Sequence, residues 1–117
     1  HTKTDAVYAL LGKSHFNLNQ HDKAEEFFKK ALKYSPNYFR NRLNFARLLF
    51  SKKLYEECLK QLLTANTLFP NQIETLMGIT SVYLKLGQNQ KAKEALQNIL
   101  KFAPQNQAVA QALKEMK

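Results

Sequence analysis

Few side chains in this sequence are equipped for chemistry, and their spacing limits what they can do. The histidines are His1, His15 and His21. His15 and His21 lie six residues apart across an expected helix break, which is not a metal-ligand spacing. The carboxylate pairs Glu25-Glu26 and Glu56-Glu57 open expected helices, where negative charge complements the dipole. No glycine-rich phosphate loop is present. These patterns point away from catalysis and give no reason to expect a metal, a cofactor or a small-molecule substrate. One constellation remains. Arg40, Asn44 and Arg47 recur at i, i+4 and i+7, so one helix face presents two guanidinium groups around an amide. Such a face suits carboxylates or the backbone carbonyls of an extended peptide.

The surrounding charge has the same sign. The formal net charge is +9, and most of it is local. Lys29, Lys30, Lys33, Arg40, Arg42, Arg47, Lys52 and Lys53 fall in a stretch, Phe27 to Tyr55, that contains no acidic residue. A positive field there would steer an acidic partner inward. The alternative reading is nucleic-acid or anionic-surface binding through this block at residues 29–53. Tyr34, Tyr38, Phe39 and Phe50 would then be available to stack on bases.

These residues must be positioned by helices. Pro36, Pro70 and Pro104 stand 34 residues apart, each after an apolar run and before Asn or Gln. Proline disfavours helix at the preceding residue and suits the turn that launches the next. Apolar residues recur at helical spacing, as in Leu76, Ile79, Tyr83 and Leu86. Each unit therefore splits in two: residues 5–18 and 22–34, then 37 or 39 to 52 and 55–68, then 71 or 73 to 86 and 89–102. Gly87 suits a left-handed helix end, and Asn71 followed by Glu74 reads as a helix start. A last amphipathic helix at about 105–116 carries its apolar stripe on Val109, Ala112, Leu113 and Met116. A helical array needs such a lid on its exposed end.

The 117 residues suffice for one domain with a core. Apolar runs fall short of the ~20 residues that cross a bilayer. The single cysteine, Cys58, can form no internal disulfide and leans toward a reducing compartment such as the cytoplasm. The start, His1-Thr2-Lys3-Thr4-Asp5, reads as the cut end of a longer protein rather than a signal segment.

Aligned on its prolines, the chain resembles the tetratricopeptide repeat family. The first unit carries Tyr8, Leu11, Gly12, Ala24, Phe28, Ala31 and Pro36 at the signature positions. The third carries Leu76, Ile79, Tyr83, Gly87, Ala92, Leu96 and Pro104. The second diverges most, with Arg42 at the bulky first position, Cys58 at a small one and Lys53 at the turn glycine. Cys58 at a small buried position would be a structural thiol rather than a nucleophile. The resemblance implies an all-α, right-handed superhelix of three helix-turn-helix units, about 5–38, 39–72 and 73–106, and a capping helix within one domain, 1–117. It implies a protein-interaction module, fitting an adaptor, co-chaperone or assembly factor, that holds another protein or peptide in its concave groove.

By the same resemblance, the first helix of each unit lines the groove. Contacts to a partner are then expected at Lys13, Asn17, Arg40, Asn44, Arg47, Phe50 and Met77. Phe16 and Phe50 are also candidates for plain packing between helices, and Lys29, Lys30 and Lys33 fall on an outer helix. Some family members clamp the C-terminal carboxylate of a chaperone tail. This chain keeps Asn44 of that set but has Ala9, Lys13, Glu74 and Gly78 at the other four positions, and Glu74 would repel a carboxylate. A chaperone-tail clamp is not expected.

Overall fold

The computed structural model describes residues 1–116; Lys117, the end of the expected domain, lies outside the described residues. Seven helices follow one another: α1 (Lys3–Asn17), α2 (His21–Tyr34), α3 (Phe39–Ser51), α4 (Tyr55–Leu68), α5 (Ile73–Lys85), α6 (Asn89–Phe102) and α7 (Gln107–Glu115). There is no strand among the described residues. Helices α1 and α2, α3 and α4, and α5 and α6 form three packed pairs, each stacked on the next, and α7 closes the end against α6. The result is an all-α solenoid, a superhelix 43 × 25 × 20 Å in extent.

Small residues set how closely the helices pack. Gly12, Ala24, Ala31, Ala46, Ala65 and Ala92 are all buried. At Gly12 the reason is direct: a Cβ would lie 2.4 Å from Phe28 Cε1, so the Phe28 ring occupies the space a side chain would need. A core of Leu43, Leu49, Leu62, Leu76, Ile79 and Leu96 runs through the second and third units. A smaller cluster of Ala24, Phe28 and Leu48 joins the first unit to the second. Phe16 packs on this cluster and stacks on His21, with ring centroids 5.4 Å apart. Val109 is buried and Ala112, Leu113 and Met116 pack on the core, so the lid works as its stripe implies.

The turns inside the units repeat as the helices do. Asn19, Lys53 and Gly87 all have positive φ (61°, 63° and 74°), and each ends a first helix. Lys53 therefore takes the left-handed conformation that favours glycine, at the strain cost a Cβ brings. One helix start differs from expectation. Asn71 is not the cap of α5; it has φ 64° and its N–H donates to Asn66 Oδ1. The cap is Gln72, whose side chain makes no capping bond.

A polar knot ties the first two units together. Thr2 and Asp5 form a reciprocal capping box at the start of α1. The Asp5 carboxylate, fully buried, also accepts from the Asn41 amide at 3.1 Å. The carbonyls of Ala31 and Ser35 also lie 3.2 Å from the same amide nitrogen, so its two hydrogens are shared among three acceptors. The start of α3 is thus fixed to the start of α1 and the end of α2. Burial pushes the Asp5 carboxyl up, but the bonds donated by the Thr2 backbone, the Asn41 amide and the Thr2 hydroxyl outweigh it. They hold it below its ordinary 3.8.

Two outcomes follow. Gly12→Leu should overpack the α1–α2 crossing and cost on the order of 1–3 kcal/mol, read as a lower denaturation midpoint; an unchanged midpoint would contradict the register. Because the folded Asp5 value is the lower one, the stability it brings is present at neutral pH. It is lost as pH falls through the unfolded and then the folded value. The melting temperature of the wild type should therefore drop more steeply below about pH 4 than that of Asp5→Asn. Parallel acid limbs would exclude Asp5 from the linkage.

Candidate functional site

Helices α1, α3 and α5 lie side by side, and two cavities open between them. The first, about 250 Å³, lies between α1 and α3 and is lined by Ala6, Ala9, Lys13, Arg40 and Asn44, with Tyr38 at its edge. The second, about 240 Å³, lies between α3 and α5. Leu43, Arg47 and Phe50 form one wall, Glu74 and Gly78 the other, and Leu62 of α4 the floor.

The expected contact residues divide accordingly. Lys13, Arg40 and Asn44 share the first cavity and Arg47 and Phe50 the second. Asn17 and Met77 line neither; Met77 packs against the core. Phe50 also meets Tyr55 edge to face, centroids 5.3 Å apart, so it serves packing and cavity together. Asn44 is 4% exposed, and its amide nitrogen has no hydrogen-bond partner. A buried unpaired amide is costly, and here it lines the first cavity.

Between the cavities the expectation of arginines free of acid fails. Glu74 reaches back from α5 and accepts from Arg40 Nη1 at 3.0 Å and Arg47 Nη2 at 3.3 Å. The sequence places Glu74 well outside the basic stretch; the stacking of the third unit on the second, through α4 and α5, brings it in. All three side chains are 42–56% exposed, so each pair is worth only about 0–1 kcal/mol. The cluster keeps a net single positive charge, and its carboxylate is replaceable.

Four more members of the basic block are also partnered. Lys29 and Lys52 hold Glu25 at 3.0 and 2.8 Å. Lys52, then Lys29, keeps the Glu25 carboxyl below the ordinary carboxylate range, and Glu25 raises Lys52 in return. Lys30 lies 4.0 Å from Glu26 and over the rings of Tyr8 and Phe27. Arg42, at the position where a bulky residue is usual, donates to the Pro36 carbonyl and to Gln61 Oε1 at 3.2 and 3.0 Å. It ties α3 to α4 of its own unit and to the turn that precedes α3. His15 stacks on Phe27 at 5.3 Å. Among the described residues no cluster of His, Cys, Asp and Glu could hold a metal ion, and no helix is long and apolar enough to cross a membrane.

Sequence reasoning missed Glu74 as the partner of both arginines, and it missed Asn41 and Asp5. The Thr2–Asp5 spacing was the available signal for a capping box. The Arg–Glu contacts span 34 and 27 residues, beyond any local pattern.

With this geometry in view, the comparisons with known proteins agree. Two tetratricopeptide repeat models match, one residues 6–38 and the other residues 73–106, together more than half of the chain. Residues 39–72, the divergent unit, lie outside both matches. The chain belongs to the tetratricopeptide repeat family, and no enzyme family is indicated. No curated protein sequence matches it. Among solved structures it is similar to the Arabidopsis OM64 TPR domain, with TM-score 0.86 and 17% identity over 97% of this chain and 94% of that one. It is also similar to the TPR2B domain of yeast Sti1 in its complex with pHsp70 (0.84, 16%, 98% and 94%). A third is the second TPR domain of human RPAP3 in complex with the HSP70 peptide SGPTIEEVD (0.80, 18%, 96% and 97%). At these identities the likeness is one of fold.

Cys58 gives a check on this placement. It is 1% exposed, its Sγ donates to the Ala46 carbonyl at 3.1 Å, and burial pushes the thiol up to about 11. Iodoacetamide at pH 8 should label it slowly in the folded protein, because only about one thiol in a thousand is ionised and access is closed. Labelling should become fast in denaturant; fast labelling of the folded protein would place the thiol at the surface instead.

Proposed function

We propose that the α1–α3–α5 face is a groove that binds an extended segment of another protein, in the role of an adaptor, co-chaperone or assembly factor. The observation that carries this reading is the Arg40–Glu74–Arg47 cluster with a cavity on either side of it. A peptide laid across the helices would meet cationic groups beside apolar surface, which is the usual mix for side-chain anchors within a polar frame. Neighbouring folds support it: the yeast Sti1 and human RPAP3 domains are each seen in complex with an Hsp70 ligand. Glu74 and Gly78 argue against the same carboxylate clamp here.

The favoured partner is acidic. Lys13, Arg40 and Arg47 ring the groove with Glu74 as the acid among them, and a ligand carboxylate can take the place of Glu74 at small cost because the pairs it breaks are exposed. The outer lysines support nucleic-acid binding less well, since Lys29, Lys30 and Lys52 are engaged by Glu25 and Glu26.

Fluorescence anisotropy with an acidic peptide pool beside a random single-stranded oligonucleotide, across a salt series, tests both readings. Peptide binding that weakens with salt but retains residual affinity is expected. Binding of the oligonucleotide alone would overturn the groove reading. Arg47→Ala should weaken the peptide by roughly 1–3 kcal/mol, and Glu74→Gln should tighten it by removing the internal competitor. Loss of binding on replacing Lys29, Lys30 and Lys33 instead would move the site to the outer helices.

A further inference from the structure

We propose that the chain associates head to tail with a second copy of itself. The open face of α1 in one copy takes the place of the lid α7 on α6 of the other, so that the solenoid continues from copy to copy.

The repeat register carries the argument. In the second and third units, the first helix lays one stripe against the unit before it. Asn41 and Leu48 of α3 are buried there, and so are Thr75 and Val82 of α5. The same repeat positions in α1 are Val7 and Ser14, and they lie open. Val7 is 57% exposed, and Leu18, one turn past Ser14, is 66% exposed. Leu11 stands between them, so the stripe follows the i, i+4, i+7, i+11 spacing of one helix face. With Leu10 beside it, this stripe holds the three most exposed large apolar side chains among the described residues. An apolar surface of this kind marks a contact to be made.

The lid shows what the stripe fits. Helix α7 starts one repeat length after α5 and two after α3, so it is the first helix of a fourth unit. Its stripe of Val109, Leu113 and Met116 stands three repeats on from Val7, Leu11 and Ser14, with Val and Leu recurring in place. Helix α6 thus already accepts the pattern that α1 exposes. Helix α1 is the longer of the two, 15 residues against 9, and covers more of α6. Past the end of α7 a cavity of about 370 Å³ opens between Leu84, Asn89, Lys93 and Met116. Where the first two units meet, the corresponding place holds Lys52, which reaches Glu25 at 2.8 Å. Leu18 has the repeat position of Lys52, and Lys93 that of Glu25. In the docked copy Leu18 lies over exposed Leu84 and the stem of Lys93. Within the chain such stripes pack mainly on second helices, α3 on α2 and α5 on α4, so α6 suits α1 better than another α1 does. The outer face of α7 exposes Gln111 and Lys114 and offers no apolar seat, so docking requires that the lid leave. A contact of this kind is heterologous and open-ended.

Sedimentation equilibrium of the whole chain, from micromolar to millimolar concentration, tests this. The wild type should show a mean mass that rises with concentration and does not stop at the dimer. Association should strengthen as salt screens the +9 charge of each copy, the opposite sign to an acidic peptide in the groove. Val109→Ala loosens the lid and should raise the association constant about tenfold; if it does not fold, Leu113→Ala takes its place. Val7→Glu combined with Leu18→Glu changes two exposed side chains. It should keep the melting temperature and abolish association, with or without the lid substitution. An excess of that double variant, which keeps its own α6, should hold labelled wild type at the mass of a dimer. A wild type and a lid variant that both stay monomeric at millimolar concentration overturn the proposal. Association that survives Val7→Glu and Leu18→Glu overturns it as well. A double variant that leaves the wild-type masses unchanged means that α1 pairs with α1, which overturns the head-to-tail geometry. The groove reading stands or falls separately, on peptide binding at dilutions where the chain is monomeric.

Discussion

The whole structure depends on two helices of each unit approaching closely enough for a ring or a branched side chain to fill a gap left by a small residue. Gly12 facing Phe28 is the clearest case, with no room even for a methyl group. Ala24 is buried beside Phe28 at the same crossing, and Ala46, Ala65 and Ala92 are the buried small residues of later ones. Once a crossing is fixed, the chain between the helices must reverse within a few residues. That demand is why Asn19, Lys53 and Gly87 share a left-handed backbone at 34-residue intervals. Dispersion and burial reward the approach, and the turn residues carry its strain.

Much of the fold was legible because these constraints are local and repeat three times. The prolines mark the ends of the units, and the helical spacing of apolar residues marks the faces that turn inward. The lid could be read from a single stripe. Asn71 shows where local reading stops. Asparagine both caps helices and tolerates the left-handed region, so its type alone does not say which role it takes. Its bond to the Asn66 side chain decides the matter, and that contact depends on how the previous helix ends.

The groove was less legible, for a physical reason. Its charge balance is made by stacking one unit on the next, which brings a carboxylate from 27 and 34 residues away onto the two arginines. Position within the repeat told which helix face Arg40, Asn44 and Arg47 occupy, but not what stands opposite. The two polar clusters also differ in kind. The Asp5–Asn41 knot is buried and multiply bonded, so breaking it leaves unpaired groups away from water and damages the fold. The Arg40–Glu74–Arg47 cluster is half exposed, so exchanging one of its members for a ligand group costs little. The first kind of cluster holds units together; the second can be spent on recognition.

The middle unit departs furthest from the repeat pattern, and it is also the unit that walls both cavities. Departure and location have a common explanation. The outer units each pack on one neighbouring unit and can keep the repeat residues that secure a crossing. The middle unit must pack on both sides and still present a face. Arg42 replaces an apolar filler yet keeps its place through bonds to Pro36 and Gln61. Cys58 is slightly larger than alanine and still fits beneath the second cavity. Lys53 stands in for the turn glycine at tolerable strain. Arg42 and Cys58 are held by neighbours from the fold, so the register survives these substitutions.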